Sequence, residues 1–451
     1  MSQQGTAALA AGVLLAFAFL FGGASRQHEL RVALVELAAL LALVLAVFAI
    51  DRPVWHQARF AVGILAAIAA IPLLQLIPMP PALWTALPGR DQLVLALDVL
   101  DMPPGWVPLS LAPDHTRFSL LALTAPVAMF LATMAAPPEY RRRLVYGLIG
   151  LTVLSIALGA LQLVSGTERF YPWATTDAGS LNGFFANRNH LATLCLITIP
   201  FAAALGAAAS RRQGRHQQLI LWSSMMFIVL AIVALGAIRS RAGVILVWPV
   251  LAASLVAAWV ASGGRPKPTF LVFIGAAGAA LSAVAVFALA PILARFSGGA
   301  GEGRFENWPT VLEAANIYLP FGSGIGSFDP VFRSVEPLAT LDATYFNQAH
   351  NDYLETWLET GWLGAAVLAA FLVWFGRRAW LAWRAPTSTA HDLQRAASIA
   401  IGATLLHSAA DYPLRTLTIA VVFAMCCALL EQAAWPEEWT RIGKSRGSRR
   451  A

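Results

Sequence analysis

Apolar runs of about 20 residues recur along most of this chain, and a helix of that length is what it takes to cross the hydrocarbon core of a bilayer. Hydrophobic residues make up 58% of the sequence and charged residues 12%, with a mean hydropathy of +0.66. A soluble globular chain carries about 45–50% apolar and about 25% charged residues. The sequence therefore reads as an all-α, polytopic integral membrane protein.

About twelve spans are expected, near 7–23, 32–50, 60–79, 117–136, 144–164, 190–209, 218–237, 244–262, 270–293, 355–375, 396–410 and 416–434, within a single membrane domain covering 1–451. The first run lacks a basic flank before it and more spans follow, so it reads as an uncleaved helix and not a signal peptide. The spans are rich in Ala, Gly and Leu, which permits close helix packing. Cys195, Cys426 and Cys427 all fall inside apolar runs. They form no metal-binding spacing and no disulfide framework, and read as small buried hydrophobes.

The formal net charge is +7, and of the 31 basic residues only Lys267 and Lys444 are lysines. Guanidinium forks match phosphate geometry and stay charged when partly buried. No basic helix or RNA-binding motif stands outside the apolar runs, so nucleic acid is not an expected partner. The connections "PPEYRRR", "SRRQGRHQQ", "GGRPKP", "RRAWLAWRAPTSTAHDLQR" and "DRPVWHQAR", with the tail "RIGKSRGSRR", hold about 19 of the 31 basic residues. Short basic loops stay in the cytoplasm. Both termini are then expected there, with the basic tail, 435–451, against anionic headgroups.

The opposite, outward face collects the loops 80–116 and 165–188, the turns "IRSRAG" and "DYPLR", and one long segment, 294–354. Loops longer than about 15 residues are usually functional or disordered. Within the long one, "NWPTVLEAANIYL" (307–319) has helical character with Pro309 near its first turn, and "PFGSGIGSF" (320–328) breaks it.

The densest polar stretch is "FNQAHNDYLETWLETGW" (346–362), which leads straight into the apolar run 363–375. Read as helix, it puts His350, Tyr353, Leu354 and Trp357 on one face, with Asn351 and Asp352 placed to cap its start. A histidine that titrates near neutrality suits proton abstraction from a hydroxyl. The alternative is an interfacial histidine bonded to water. Asp352 and Glu355 have no second ligand pair at useful spacing, so no metal site is expected.

Arg239 and Arg241, in "AIRSRAGV", lie between two apolar helices and face outward against the basic-inside bias. Arg304, in "GRFENWP", opens the loop helix. Guanidinium groups gathered on one face can neutralise a pyrophosphate; snorkelling to headgroups is the alternative. Asn187, Arg188, Asn189 and His190 form a polar knot at the mouth of the sixth span. They serve as caps for its free N–H groups, or Arg188 contacts a ligand. Gly322, Gly324 and Gly326 in "FGSGIGSF" lack the strand, spacing and lysine of a nucleotide loop. They read as a tight turn that lets backbone approach a ligand. "HSAADYPLR" places His407, Asp411 and Arg415 at the outward end of the eleventh span, as a buried pair or a substrate contact.

In chain order, "NGFFANRNHLA", "SRAG" at a span junction, and an outward loop carrying "GRFENWP", "GSGIGSF" and "AHNDYLE" resemble the bacterial O-antigen ligase/polymerase superfamily, over roughly 181–412. The first five spans match it in hydropathy alone. The resemblance implies a GT-C-like glycosyltransferase of the bacterial inner membrane, with short helices in one large periplasmic loop (294–354). It implies transfer of a glycan from an undecaprenyl-pyrophosphate donor to an acceptor hydroxyl, inverting, with no metal and no cofactor. It makes His350 the catalytic residue and Arg241 and Arg304 the pyrophosphate-binding ones, with Arg188 at a family-typical position. Arg239, Asn351, Asp352, Tyr353, Asn187, Asn189 and Gly324 are supporting candidates. Trp308, Tyr345 and Phe346 either stack on sugar rings or fill the loop's own core.

The implied partners are the lipid-linked donor, a glycan or lipid A core acceptor, membrane lipids and a chain-length regulator protein. Polymerase, O-antigen ligase and protein oligosaccharyltransferase all stay open, with the "NRNHLA" variety leaning to polymerase. A polysaccharide or lipid-linked oligosaccharide transporter or flippase, without transferase chemistry, is the rival. A transporter places charged or unwound elements near the bilayer midplane, whereas here the polar elements crowd one face.

Overall fold

The computed structural model describes residues 2–24, 29–173, 179–263, 303–338 and 346–431, with the helical positions 275, 278 and 282. The helices in chain order are α1 (Gln3–Phe21), α2 (Glu29–Ala49), α3 (Arg52–Gln75), the short α4 (Pro81–Trp84) and α5 (Asp91–Val99), and α6 (Pro113–Ala122) running into α7 (Thr124–Ala135). Then come α8 (Pro138–Ser165), α9 (Arg188–Ser210), α10 (Arg215–Ile238), α11 (Arg241–Ala261), α12 (Gly303–Ile317), α13 (Phe328–Val335), α14 (Asp352–Arg384), α15 (Thr389–Ser408) and α16 (Leu417–Glu431). A two-residue antiparallel ladder, β1 (Pro78–Met79) with β2 (Val107–Pro108), is the sole strand pairing among the described residues.

Among those residues nine helices are long and apolar enough to cross a membrane, with α6 and α7 together making one of them. The protein is thus a multi-pass, largely α-helical membrane protein. Of the other three expected spans, 270–293 lies outside the described residues apart from its three isolated positions. The run 416–434 appears as α16, only 15 residues long. The run 396–410 falls in α15, which carries Asp392, Gln394, Arg395 and His407. These are tolerated because α15 is packed among α9, α11, α14 and α16, and because Arg395 pairs with Asp392 at 3.1 Å with both side chains buried. The basic tail, 435–451, lies outside the described residues.

Helix α9 is the axis of the bundle. It is buried along nearly its whole length and packs against α8, α10, α11 and α15. Small residues make that possible, since interhelical packing in lipid rests on close backbone approach. A Cβ added to Gly243 of α11 would lie 2.9 Å from the Ala192 methyl, and one on Gly206 of α9 would lie 3.2 Å from Ser224 of α10. The Gly243–Ala192 approach sets the first turn of α11 beside the first turns of α9. The start of α9 and the start of α11, where "NRNH" and "SRAG" fall, therefore share one end of the bundle.

At that same end the loop segment is docked onto a break in α14. Gly361 has φ 54° and ψ −142° inside the helix, and a Cβ there would lie 2.3 Å from the Pro320 carbonyl oxygen. The break frees carbonyls that the glycine turn then uses. Ser323 N–H donates to Leu358 O at 2.9 Å, Gly324 N–H to Glu359 O at 3.0 Å, and Trp362 N–H to Pro320 O at 3.0 Å. Gln75, at the end of α3, bridges the two: its Nε2 donates to Glu359 O at 2.8 Å and its Oε1 accepts from Ile325 N–H at 2.9 Å. A small second core of Val311, Ala314, Phe328, Val331, Phe332 and Leu358 lies under α12 and α13.

Candidate active site

The histidine of "AHNDYLE" stands outside the helix that follows it. His350 has a left-handed backbone, φ 50°. Asn351 is the N-cap of α14, its Oδ1 accepting from Tyr353 N–H at 3.0 Å and Leu354 N–H at 3.2 Å. The expected helical face joining His350 to Tyr353, Leu354 and Trp357 is therefore not formed, because the cap ends the helix before His350. Asp352 does not cap; its carboxylate turns to Ser408 and Arg415. Tyr353 donates its hydroxyl to Leu405 O at 2.7 Å, and Asn351 Nδ2 donates to Ala409 O at 3.1 Å. Both bonds tie the start of α14 to the end of α15.

His350 faces a carboxylate. Its Nδ1 lies 3.4 Å from Asp411 Oδ1, a contact just beyond good hydrogen-bond geometry that leaves the buried Nδ1 without another partner among the described residues. The His350 side chain is 17% exposed and that of Asp411 1%, so the imidazole is partly open to solvent and the acid is not. The Tyr412 ring stands edge-on to His350, centroids 4.7 Å apart, and Phe346 lies 5.7 Å away on another side.

Asp411 is itself held. Asn189 Nδ2 donates to its Oδ2 and Tyr412 N–H donates to its Oδ1 at 2.9 Å. Burial pushes this carboxyl up, but the close contact with His350 and the imidazoles of His190 and His407 outweigh it and hold it well below the usual carboxylate range. His190 is buried edge-on between Tyr412 (5.2 Å) and Phe185 (6.2 Å), with no hydrogen-bond partner on either ring nitrogen among the described residues. His407 Nδ1 pairs with Thr193 Oγ1 at 2.8 Å.

Beside this pair, three acids of α14 converge on one cation. Asp352, Glu355 and Glu359 are spaced i, i+3, i+7 and share a helix face. Arg415 lies 2.8 Å from Glu359, 3.2 Å from Glu355 and 3.7 Å from Asp352. Burial lowers the Arg415 pKa, and the three carboxylates more than reverse that, so it stays charged. The surplus acceptors have backbone donors. Ala349 N–H bonds Glu355 Oε2 at 2.9 Å, and Gly326 N–H bonds Glu359 Oε1 at 2.8 Å. The Gln348 amide fits with its nitrogen toward Glu355. Bonds at Gln348 and Ala349 fix the chain just before His350, so the cluster anchors the histidine's backbone.

The remaining expected residues divide. Asn187 caps α9, its Oδ1 accepting from Asn189 N–H at 2.9 Å, and Arg188 Nη1 donates to Ser180 Oγ at 3.3 Å. Arg239 ends α10 in a left-handed, exposed conformation, and Arg241 is the first residue of α11 behind its N-cap Ser240. Arg304 is described as a backbone position in the first turn of α12. One turn on, Trp308 Nε1 donates to Ala349 O at 3.0 Å, which brings that end of α12 next to His350 and uses the indole within the loop's own core. Phe346 belongs to the same core, against Phe332 at 5.0 Å; Tyr345 lies outside the described residues. Gly324 does not line an open site. With φ 107°, it faces Ser110, whose Oγ would lie 2.4 Å from an added Cβ, so the close approach is to the protein's own 80–116 loop.

Asp411 and Asn189 reach His350 from sequence separations that carry no local signal. Asp352-x-x-Glu355-x-x-x-Glu359 was legible as a one-face acidic row, and "DYPLR" as the nearest cation. Among the described residues no group of three or more His, Cys, Asp or Glu is arranged to hold a metal ion.

Residues 226–369 match the Wzy_C family model, described as O-antigen ligase. The match spans Arg239, Arg241, Arg304 and His350–Tyr353, and stops before Asp411 and Arg415. It supports membership of the O-antigen ligase superfamily and an enzymatic role, and does not separate a ligase from a polymerase. A comparison with curated proteins finds no match.

Proposed function

We propose that the protein is a glycosyltransferase that moves a glycan from an undecaprenyl-pyrophosphate donor to an acceptor hydroxyl, at the periplasmic face of the bacterial inner membrane, by single displacement with inversion. The observation that carries this reading is the His350–Asp411 pair, in a chain whose residues 226–369 match the O-antigen ligase family. A carboxylate opposite Nδ1 favours the tautomer with its proton there. Nε2 then carries the lone pair and takes the proton from the attacking hydroxyl. As the imidazolium forms, the buried Asp411 anion stabilises it, the role a carboxylate plays behind a catalytic histidine.

The leaving group is a pyrophosphate whose charge grows as the C1–O bond breaks, and fixed cations stabilise such charge most when they are already in place. Arg241 and Arg304 are assigned that role. Their backbones stand at the same end of the bundle as His350, one beside the start of α9 and the other one turn before Trp308. Arg188 is assigned to the rim of the same site. Both termini are assigned to the cytoplasm.

The test is purified protein with a synthetic undecaprenyl-pyrophosphate glycan, followed by product sizing. Stepwise chain growth identifies a polymerase, and single transfer to lipid A core identifies a ligase. Donor consumption by neither acceptor, with lipid-linked glycan moved across vesicles instead, would overturn the transferase reading in favour of a flippase.

A further inference from the structure

At the other end of the bundle, where α9 stops, a cavity of about 440 Å³ opens between α8, α9, α10 and the start of α15. The 23 residues of α9 put it about 34 Å from the His350 end at 1.5 Å per residue. Arg142 and Tyr146 of α8, Leu205 of α9, the following Arg212, and His216 and Ile220 of α10 stand around it, and no Asp or Glu lines it. Among the described residues Arg142, Arg212 and His216 have no side-chain hydrogen bond or ion pair. The acid nearest in the chain to its Thr389 wall, Asp392, is already taken by Arg211 at 2.5 Å and Arg395 at 3.1 Å. This end thus has two guanidinium groups and an imidazole around one opening, with no carboxylate lining it among the described residues.

Apart from Gln217 and Thr389 the rest of the wall is apolar or aromatic, and beside the opening α10 turns an apolar face outward. His216, Leu219, Met226, Leu230 and Val233 recur at helical spacing down one face of α10. The four apolar ones are exposed, from 37% at Leu230 to 71% at Met226. That face lies in the bilayer, so the chains of a lipid can follow it while its headgroup reaches the arginines, whereas a free anion uses the arginines alone. Basic pockets between membrane helices are where acidic lipid headgroups bind.

We infer that the cavity bounded by Arg142, Arg212 and His216 is a binding site for the phosphate headgroup of an anionic phospholipid, whose acyl chains lie along the Leu219–Val233 face of α10. The site is separate from the transfer chemistry and does not depend on that reading. The phosphodiester sits between the two guanidinium groups, and His216 can donate a hydrogen bond in either protonation state.

The experiment uses the full chain purified in a neutral detergent. Native mass spectrometry and thermal unfolding are read with added phosphatidylglycerol, phosphatidylcholine or inorganic phosphate. Phosphatidylglycerol should be retained and raise the melting temperature, and the other two should do neither. Arg142→Gln/Arg212→Gln should bind it roughly 30-fold more weakly, from the worth of a basic residue at an anionic surface. Arg142→Lys/Arg212→Lys should keep most of the binding, which separates lost charge from lost fold. Arg52→Gln/Arg59→Gln, with the same charge change elsewhere, should bind like wild type. Equal retention by the Arg142/Arg212 glutamine variant and wild type would overturn the site. Equal stabilisation by inorganic phosphate would overturn the lipid.

Discussion

Replacing Asp411 with asparagine changes one atom's chemistry and almost no volume. In the folded protein Oδ2 accepts from Asn189 Nδ2, while Oδ1 accepts from Tyr412 N–H at 2.9 Å and faces His350 Nδ1 at 3.4 Å. An asparagine has one acceptor and one donor end. If its oxygen takes the Asn189 side, its amide nitrogen confronts the Tyr412 N–H and drives His350 to the tautomer with Nε2 protonated, which is no base. If its oxygen takes the His350 side, its amide nitrogen faces Asn189, whose own amide must turn over to accept it. Either way the buried anion behind the imidazolium is lost. General-base catalysis contributes about 100- to 10,000-fold, so kcat should fall by at least about 100-fold, or about 2.7 kcal/mol of barrier.

On the proposed mechanism Asp411 acts through His350 and not on the donor, so KM for the lipid-linked glycan should hold within about threefold. His350→Ala/Asp411→Asn should be no slower than His350→Ala alone, since residues that act as a unit are non-additive. The assay is single-turnover transfer from a synthetic donor by purified protein of wild-type melting temperature. Near-wild-type kcat in Asp411→Asn, or additive losses in the double variant, would refute the pairing.

Further outcomes follow from the same geometry. His350→Ala should abolish transfer while expression and donor binding stay near wild type, checked by product gel and lipid co-purification. Arg241→Lys should lose transfer as well, because an ammonium cannot reproduce the guanidinium fork on a pyrophosphate. Arg415→Met leaves three acids of α14 without their cation and should destabilise by about 3–5 kcal/mol, read by thermal unfolding in detergent. Adding Asp352→Asn, Glu355→Gln and Glu359→Gln to it should recover part of that loss. Gly324→Ala puts a methyl against Ser110 at a φ of 107° and should lower stability by about 1–3 kcal/mol.

Local chemistry was the legible part of this chain. Apolar run length marked the spans, because a lipid-facing helix satisfies its own backbone within its own residues. The caps at Asn187, Ser240 and Asn351 needed only a polar side chain two or three residues ahead of free N–H groups, so their positions show in the sequence. The acidic row Asp352, Glu355 and Glu359 of α14 is legible in the same way, as a helical spacing, although the sequence reading placed Asp352 as a cap.

Tertiary structure alone decided what those pieces do. Asp411 meets Asn189 across 222 residues, and Gln75 meets Glu359 across 284; pairings that distant leave no periodicity to read. His350 looked helical because its neighbours are, yet packing of Tyr412 and Phe346 and the clamp on Ala349 hold it in a left-handed conformation. The glycines of the loop turn promised room for a ligand and instead admit the kinked backbone of α14 and the 80–116 loop. A residue's type limits which bonds it can make, and only the folded chain brings the partner within reach.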